Sequence, residues 1–224
     1  SSAVPLSVAR MRAIDTAAIQ TLGIPRLLLM EHAGLAVART AHTLSPSLTQ
    51  PIIMCCGTGL NGGDGLAAAR HLQLQGHALR IVLAGRRDRL REEPAIYATI
   101  LERLGVVLEE YADVSVQPMA LEPAMRTSGL IIDALLGIGT QEQVREPIAS
   151  LITCMNRTET QILAVDLPSG LDGDTGQVLG TAVEATVTVT FGAPKQGCLR
   201  NAGPAHVGQL LVDPITIPRT LLTP

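Results

Sequence analysis

The chain has 224 residues, 46% of them hydrophobic, which is enough for one large α/β core. A net charge of -3 gives no reason to expect nucleic acid or an acidic membrane surface as a partner, and with Phe191, Tyr97 and Tyr111 as the whole aromatic complement, a stacking platform for exposed bases is not expected either. Four cysteines without a C-x-x-C pair argue against a zinc site or a disulfide framework, and they fit a reducing, cytoplasmic setting.

The chain opens on Ser1 rather than Met, as a processed or trimmed chain would, and shows no signal peptide. Its most apolar early stretch, Leu27 to Ala38, contains Glu31 and His32 and is too short to span a bilayer. Two helices are predicted first. Ser7 can cap the first, in which Val8, Met11, Ile14, Ala18 and Leu22 form an apolar stripe. Gly23 ends it, and Pro25 suits the opening turn of the second helix, which carries Leu28, Leu29, Met30, Ala33, Gly34, Val37 and Ala41. The small residues of that helix permit close packing, either within the chain or in a dimer. A polar link, 45–51, follows.

From Pro51 the pattern alternates. Strands are predicted at 51–57, 79–84, 105–109, 129–133 and 161–166, with helices at 64–75, 92–104 and 143–156 between them. Cys55 and Cys56 read as small buried hydrophobes of the first strand. Two further β-rich segments, 185–191 and 206–212, close a single domain covering 1–224. The expected fold is an α/β three-layer sandwich, Rossmann-like, with a mostly parallel sheet and two leading helices.

The most informative stretch lies after the first strand, Gly57-Thr-Gly59-Leu60-Asn61-Gly62-Gly63-Asp64-Gly65. A strand, a glycine turn and a helix N-terminus make a place where backbone N–H groups hold a polar or anionic ligand. The spacing of Gly57, Gly59 and Gly62 meets the dinucleotide fingerprint, yet Asp64 stands where a pyrophosphate would lie. The second strand runs into Gly85-Arg86-Arg87 instead of a ribose-binding acid. Those arginines could suit a phosphate, but they read more readily as solvated loop charges. Ligands of an open parallel sheet sit beyond the carboxyl ends of its strands. Asn61 and Asp64 lie there, and so do Asp133, before Gly137-Ile138-Gly139-Thr140, and Asp166, before Pro168-Ser169-Gly170. One such aspartate is best read as a helix cap. Three at ligand-facing strand ends suit either a hard cation or acid–base chemistry.

These segments, with Ala69-Arg70-His71-Leu72, Thr188-Val-Thr190-Phe191-Gly-Ala-Pro-Lys195 and Val207-Gly-Gln-Leu-Leu-Val212, together resemble the NAD(P)H-hydrate epimerase family, the YjeF N-terminal domain. The match runs from about residue 10 onward, and its specificity lies in the number and order of the motifs. The resemblance implies an enzyme, an isomerase that interconverts the R and S forms of hydrated NADH and NADPH. It also implies a homodimer and coupling to a dehydratase that restores the cofactor. Carried over by position, Asn61, Asp133 and Ser169 would coordinate one potassium ion per subunit. Leu60, Asn61, Gly62, Gly63 and Asp64, the turn Gly137, Ile138, Gly139, Thr140, Gln141, Glu142 and Gln143, and Asp166 would contact the hydrated cofactor. Many members have Asn where this chain has Leu60, so the contact expected there comes from the backbone.

The implied chemistry is loss of hydroxide from C6 of the nicotinamide ring to give an iminium, then addition of water to the other face. A single carboxyl can serve both steps, and Asp166 is the candidate. Lys195 reads either as a phosphate contact or as a surface lysine. Two other functions are weighed against this one. A non-catalytic scaffold of the kind found in mRNA decapping does not account for Asn61, Asp133, Asp166 and Ser169 occurring together. An ordinary NAD(P) oxidoreductase is disfavoured by Asp64 and by the missing ribose acid.

Overall fold

A computed structural model describes residues 4–112 and 118–222; the opening Ser1 lies outside the described residues. The first predicted helix is α1, Val8–Thr16, with Ser7 Oγ accepting from Arg10 N at 3.2 Å, and it runs on through a π-helical turn, Ala17–Thr21. Val8, Met11, Ile14 and Ala18 are buried in the chain's own core, but Leu22 stays 50% exposed because the wider turn rotates it off the stripe. In α2, Arg26–Leu44, the expected apolar face is buried except for Leu28, which is 45% exposed.

The alternating region follows as β1 (Ile52–Cys56), α3 (Leu60–Leu74), β2 (Leu79–Leu83), α4 (Glu92–Arg103), β3 (Leu108–Glu110), a short α5 (Glu122–Thr127), β4 (Leu130–Ala134), α6 (Ile148–Asn156) and β5 (Ile162–Val165). Then come β6 (Val187–Phe191), α7 (Gly203–Val207), β7 (Gln209–Asp213) and α8 (Arg219–Leu222). Differences from the sequence expectation fall at element ends and in the short helices α5, α7 and α8, which the pattern did not predict. Helix α3 begins at Leu60, so the Leu60–Asp64 turn is already helical, and α6 starts at Ile148, leaving 143–147 as loop. His206 and Val207 close α7 instead of opening the last strand. Three α/β crossovers, over α3, α4 and α6, were readable from pattern alone, because most of the strands are short apolar runs ended by glycine or a polar turn.

Seven strands pair in the order β3-β2-β1-β4-β5-β6-β7, and every pairing is parallel, including the two closing strands. Successive residues of β1 face opposite layers. Ile52, Met54 and Cys56 join the cluster under α1–α4, while Ile53 and Cys55 join the one under α5 and α6. Burying each such aliphatic side chain stabilises the fold by roughly 1.5–3 kcal/mol. On the first face α2 and α3 lie unusually close. A Cβ on Gly34 would stand 2.5 Å from the Ala67 Cβ, so the small-residue face of α2 serves packing within the chain. Strand β6 carries threonines yet is buried throughout, because Thr188 Oγ1 donates to Val207 O at 2.8 Å and Thr190 Oγ1 to Asp166 at 3.3 Å. The order reverses between β1 and β4, which opens a crevice at the carboxyl ends of the sheet.

Candidate active site

A cleft of about 700 Å³ occupies that crevice. Its floor is the glycine turn after β1. A Cβ on Gly57 would lie 2.0 Å from Leu135 O, and one on Gly62 would lie 1.9 Å from Gly57 O, so the chain after β4 and the first turn of α3 are pressed together. Gly59 caps α3 without a side-chain bond, and the first intrahelical bond is Gly63 N to Gly59 O at 3.1 Å. The N–H groups of the first helical turn are thereby left for a ligand.

Of the residues expected at the site, Leu60, Asn61, Asp64, Gly137, Ile138, Gly139, Thr140 and Asp166 line the cleft. Gly62 and Gly63 are buried behind it, Gly63 against Met30 and Pro94. Gln141, Glu142 and Gln143 are exposed on the following loop and stand apart from the lining, with Glu142 paired to Arg145. Arg86 and Arg87 are loop charges, paired with Asp88 and Glu102.

Asp133 and Ser169 lie under the floor, 0% and 1% exposed. Ser169 donates to Asp133 from its N at 2.8 Å and its Oγ at 2.6 Å, Leu135 N adds a third bond at 3.2 Å, and Leu136 N donates to Ser169 Oγ at 2.9 Å. Asn61 Nδ2 then donates to Leu136 O at 2.9 Å, joining α3 to the same network. Burial pushes the Asp133 carboxyl up to about 6, although the bonds from Ser169 and Leu135 draw it down.

Asp166 differs from the other carboxylates. Its φ is +65°, the left-handed region that costs a non-glycine residue of order 1 kcal/mol or more. The conformation is held by Asp166 N donating to Val189 O at 2.7 Å and by Phe191 N donating to Oδ1 at 3.1 Å. Lys195 corrects one of the two sequence readings, because it is not a surface lysine, although it does line the cleft. It is 1% exposed, forms an ion pair with Asp166 Oδ1, and donates to Thr190 Oγ1 at 3.1 Å and Phe191 O at 3.0 Å. Asp166 Oδ2 has no hydrogen bond among the described residues, and the side chain lines the cleft. A lysine is buried here because a carboxylate, a hydroxyl and a carbonyl replace its water.

The sequence reading missed the contribution of α1. Leu6 pairs with Lys195 through Gln196 N to Leu6 O at 3.0 Å, and Asp174 Oδ1 accepts from Val8 N at 2.7 Å. Pinned in this way, α1 sends Met11, Arg12 and Asp15 into the cleft wall, and Arg12 Nη2 donates to Ile138 O at 3.3 Å. Burial pushes the Asp15 carboxyl up to about 6, with Lys195 drawing it down and Asp166 pushing it up. Asp64 is pushed well above the ordinary carboxylate range by burial and then by Asp166 and Asp15, with Lys195 opposing. No periodicity marks Asp15 as a site residue, since its only neighbours in sequence are its own helix.

Residues 26–197 match the family model described as YjeF-related protein N-terminus. The chain belongs to the YjeF N-terminal family. Relatives include the NAD(P)H-hydrate epimerase of Limosilactobacillus reuteri, 38% identical over 90% of this chain and 91% of that protein. The bifunctional NAD(P)H-hydrate repair enzyme Nnr of Pyrobaculum aerophilum is 44% identical over 88% of this chain. This chain covers only 39% of that enzyme and 41% of the Salinibacter ruber one. A yeast protein, YNL200c, has a crystal structure that superposes with a TM-score of 0.83 at 25% identity, covering 97% of this chain and 91% of that one. The two chains share the fold described above.

Proposed function

We propose that this chain is an NAD(P)H-hydrate epimerase, interconverting the R and S forms of hydrated NADH and NADPH. The observation that carries this reading is Asp166, a strained carboxylate with one oxygen locked by buried Lys195 and the other left for the cleft. Such a group, at a topological switch point beside glycine-walled amides, suits proton exchange with a bound nucleotide ring better than it suits a scaffold. The relatives' names agree with it. Asp166 then takes up the proton of the water that adds back to C6 after the hydroxyl has departed. The test is to supply purified R epimer and follow the S form by chromatography, less the spontaneous rate; no rate above background rejects the reading.

Asn61, Asp133 and Ser169 fit a potassium ion. Asp133 is a buried carboxylate without an ion pair among the described residues, and Asn61 Oδ1 accepts no hydrogen bond there. A single carboxylate among neutral oxygens suits a monovalent cation better than calcium. The ion would supply charge neutralisation beneath the floor, while the chain's own bonds hold the 135–140 loop against α3. Potassium chloride, compared with lithium chloride at equal strength, is expected to raise Tm. At 100-fold over Kd the gain is about 2.7 kcal/mol, or roughly 5–10 °C for a domain of this size. Asp133→Asn should abolish the difference between the salts, and a wild type indifferent to the two salts would count against the site.

The assembly we propose is a homodimer. Its contact surface would draw on Leu22, Leu27 and Leu28, exposed where the two leading helices meet, because the α1 stripe itself is used up in the chain's own core. The S product is expected to pass to a dehydratase, as the bifunctional relatives' name suggests.

A further inference from the structure

The cleft holds two carboxyls that no protein group secures. Asp64, in the second turn of α3, and Asp15, in the last turn of α1, both line it, and neither side chain has a hydrogen bond or an ion pair among the described residues. Asp166 is the opposite case, with Lys195, Thr190 and Phe191 all on Oδ1. The helix bearing Asp64 follows β1 and Asp166 follows β5, with β4 between them, so the two supporting strands are about 10 Å apart. A flat ring lying in the cleft can meet a different carboxyl on each side. Asp166, held on one oxygen by an ammonium group, presents its other oxygen to the cleft as a base would, and the unpaired Asp64 is suited to donate.

Resting on the epimerase reading, we propose that Asp64 is the general acid that gives its proton to the departing C6 hydroxyl, that Asp166 is the base opposite it, and that Asp15 is a positioning residue that keeps the proton on Asp64. In the R-to-S direction the ring N1 lone pair forms the N1=C6 iminium as the C6–O bond breaks. The bond's electron pair leaves with oxygen, the Asp64 proton joins it, and water departs. A second water adds its oxygen pair to the other face of C6, the iminium pair returns to N1, and the surplus proton goes to Asp166. One proton has moved from Asp64 to Asp166; the reverse direction returns it, or exchange with solvent resets both groups. No oxidant or further reactant is needed. The part given to Asp15 rests on its place in the cleft wall beside Asp64.

Burial is the first cause that raises the Asp64 carboxyl, and the charges facing it add to that or oppose it. Asp15 of α1 and Asp166 after β5 oppose its ionisation, and Lys195 favours it. Around α3, Arg26 of α2 is taken by Glu92 and Glu93 of α4, and Glu31 of α2 by Arg70, His71 and Tyr97. Removing the Asp15 charge should therefore let Asp64 lose its proton at lower pH.

The test combines pH profiles of kcat/KM for R-to-S conversion with carboxyl ¹³C NMR of the resting protein. Asp64→Asn is expected to lose about 100- to 10,000-fold in turnover together with the basic limb of the profile. Asp15→Asn should move that limb to lower pH, which lost packing alone would not do. The Asp64 carbon of the wild type should titrate above the ordinary carboxylate range, and lower in Asp15→Asn. Turnover of Asp64→Asn within threefold of wild type, an Asp64 carbon titrating as an ordinary carboxylate, or an unmoved basic limb in Asp15→Asn would overturn the assignment. The NMR arm needs no substrate and stands if a variant fails to fold. A wild type without epimerisation would reject the epimerase reading, whereas an active wild type with an active Asp64→Asn rejects only this assignment.

Discussion

Lys195→Met should lower the unfolding free energy by about 3–5 kcal/mol, the usual loss when one partner of a buried ion pair is removed. For a domain of this length that is a fall in Tm of roughly 6–20 °C. Methionine fills most of the lysine's volume, so cavity formation is a minor part of the loss. The larger part comes from Asp166, left buried and anionic in a left-handed conformation with only Thr190 and Phe191 N on Oδ1. The thermodynamic test is a cycle with Asp166→Leu. If the pair is held against its own desolvation, the double variant is more stable than Lys195→Met alone, because no charge is then stranded. Denaturant unfolding of the four proteins measures it, and strict additivity of the two single losses would mean that the pair is not coupled.

Asp166→Asn should cut epimerase turnover by about 100- to 10,000-fold while weakening nucleotide binding much less. The amide keeps the size and can still accept at Oδ1 from Phe191 N and Lys195, so the fold around it is largely preserved. What it cannot do is exchange a proton at neutral pH. A different pattern, with raised KM and unchanged turnover at saturation, would make Asp166 a ribose contact or a cap. Equilibrium binding of a non-reactive nucleotide, measured beside the single-turnover rate, separates the two outcomes.

Both predictions depend on a contact between residues 29 apart in sequence, and this is where sequence reading stopped. Up to that point local chemistry was sufficient. The β-branched runs ended by glycine or aspartate placed the strands, parallel sheets expose ligands at carboxyl ends, and so Asn61, Asp64, Asp133 and Asp166 could be placed near one crevice from their positions in the alternation. The glycines were legible for a related reason. Gly57 and Gly62 sit where two backbone segments meet with no room for a Cβ, and a strand–turn–helix motif announces that crowding locally.

Long-range packing decided the rest. A lysine after a strand looks like a surface residue until the fold places Asp166, Thr190 and the Phe191 carbonyl around its ammonium group, because burying that charge is tolerable only with its partners present. Asp15 looks like a solvated helix residue until the Leu6–Lys195 bridge and the Asp174 contact swing α1 over the cleft. Gln141, Glu142 and Gln143 follow a glycine turn that does face the cleft, but the loop turns outward before α6 and leaves them in solvent. By itself the sequence determined the order of elements, the parallel sheet and the crevice, since these follow from residue periodicity and backbone freedom within a few positions. The tertiary structure alone decided which carboxyl is paired and which is left unpaired in the cleft, since that depends on charges brought together from α1, α3 and the ends of β5 and β6.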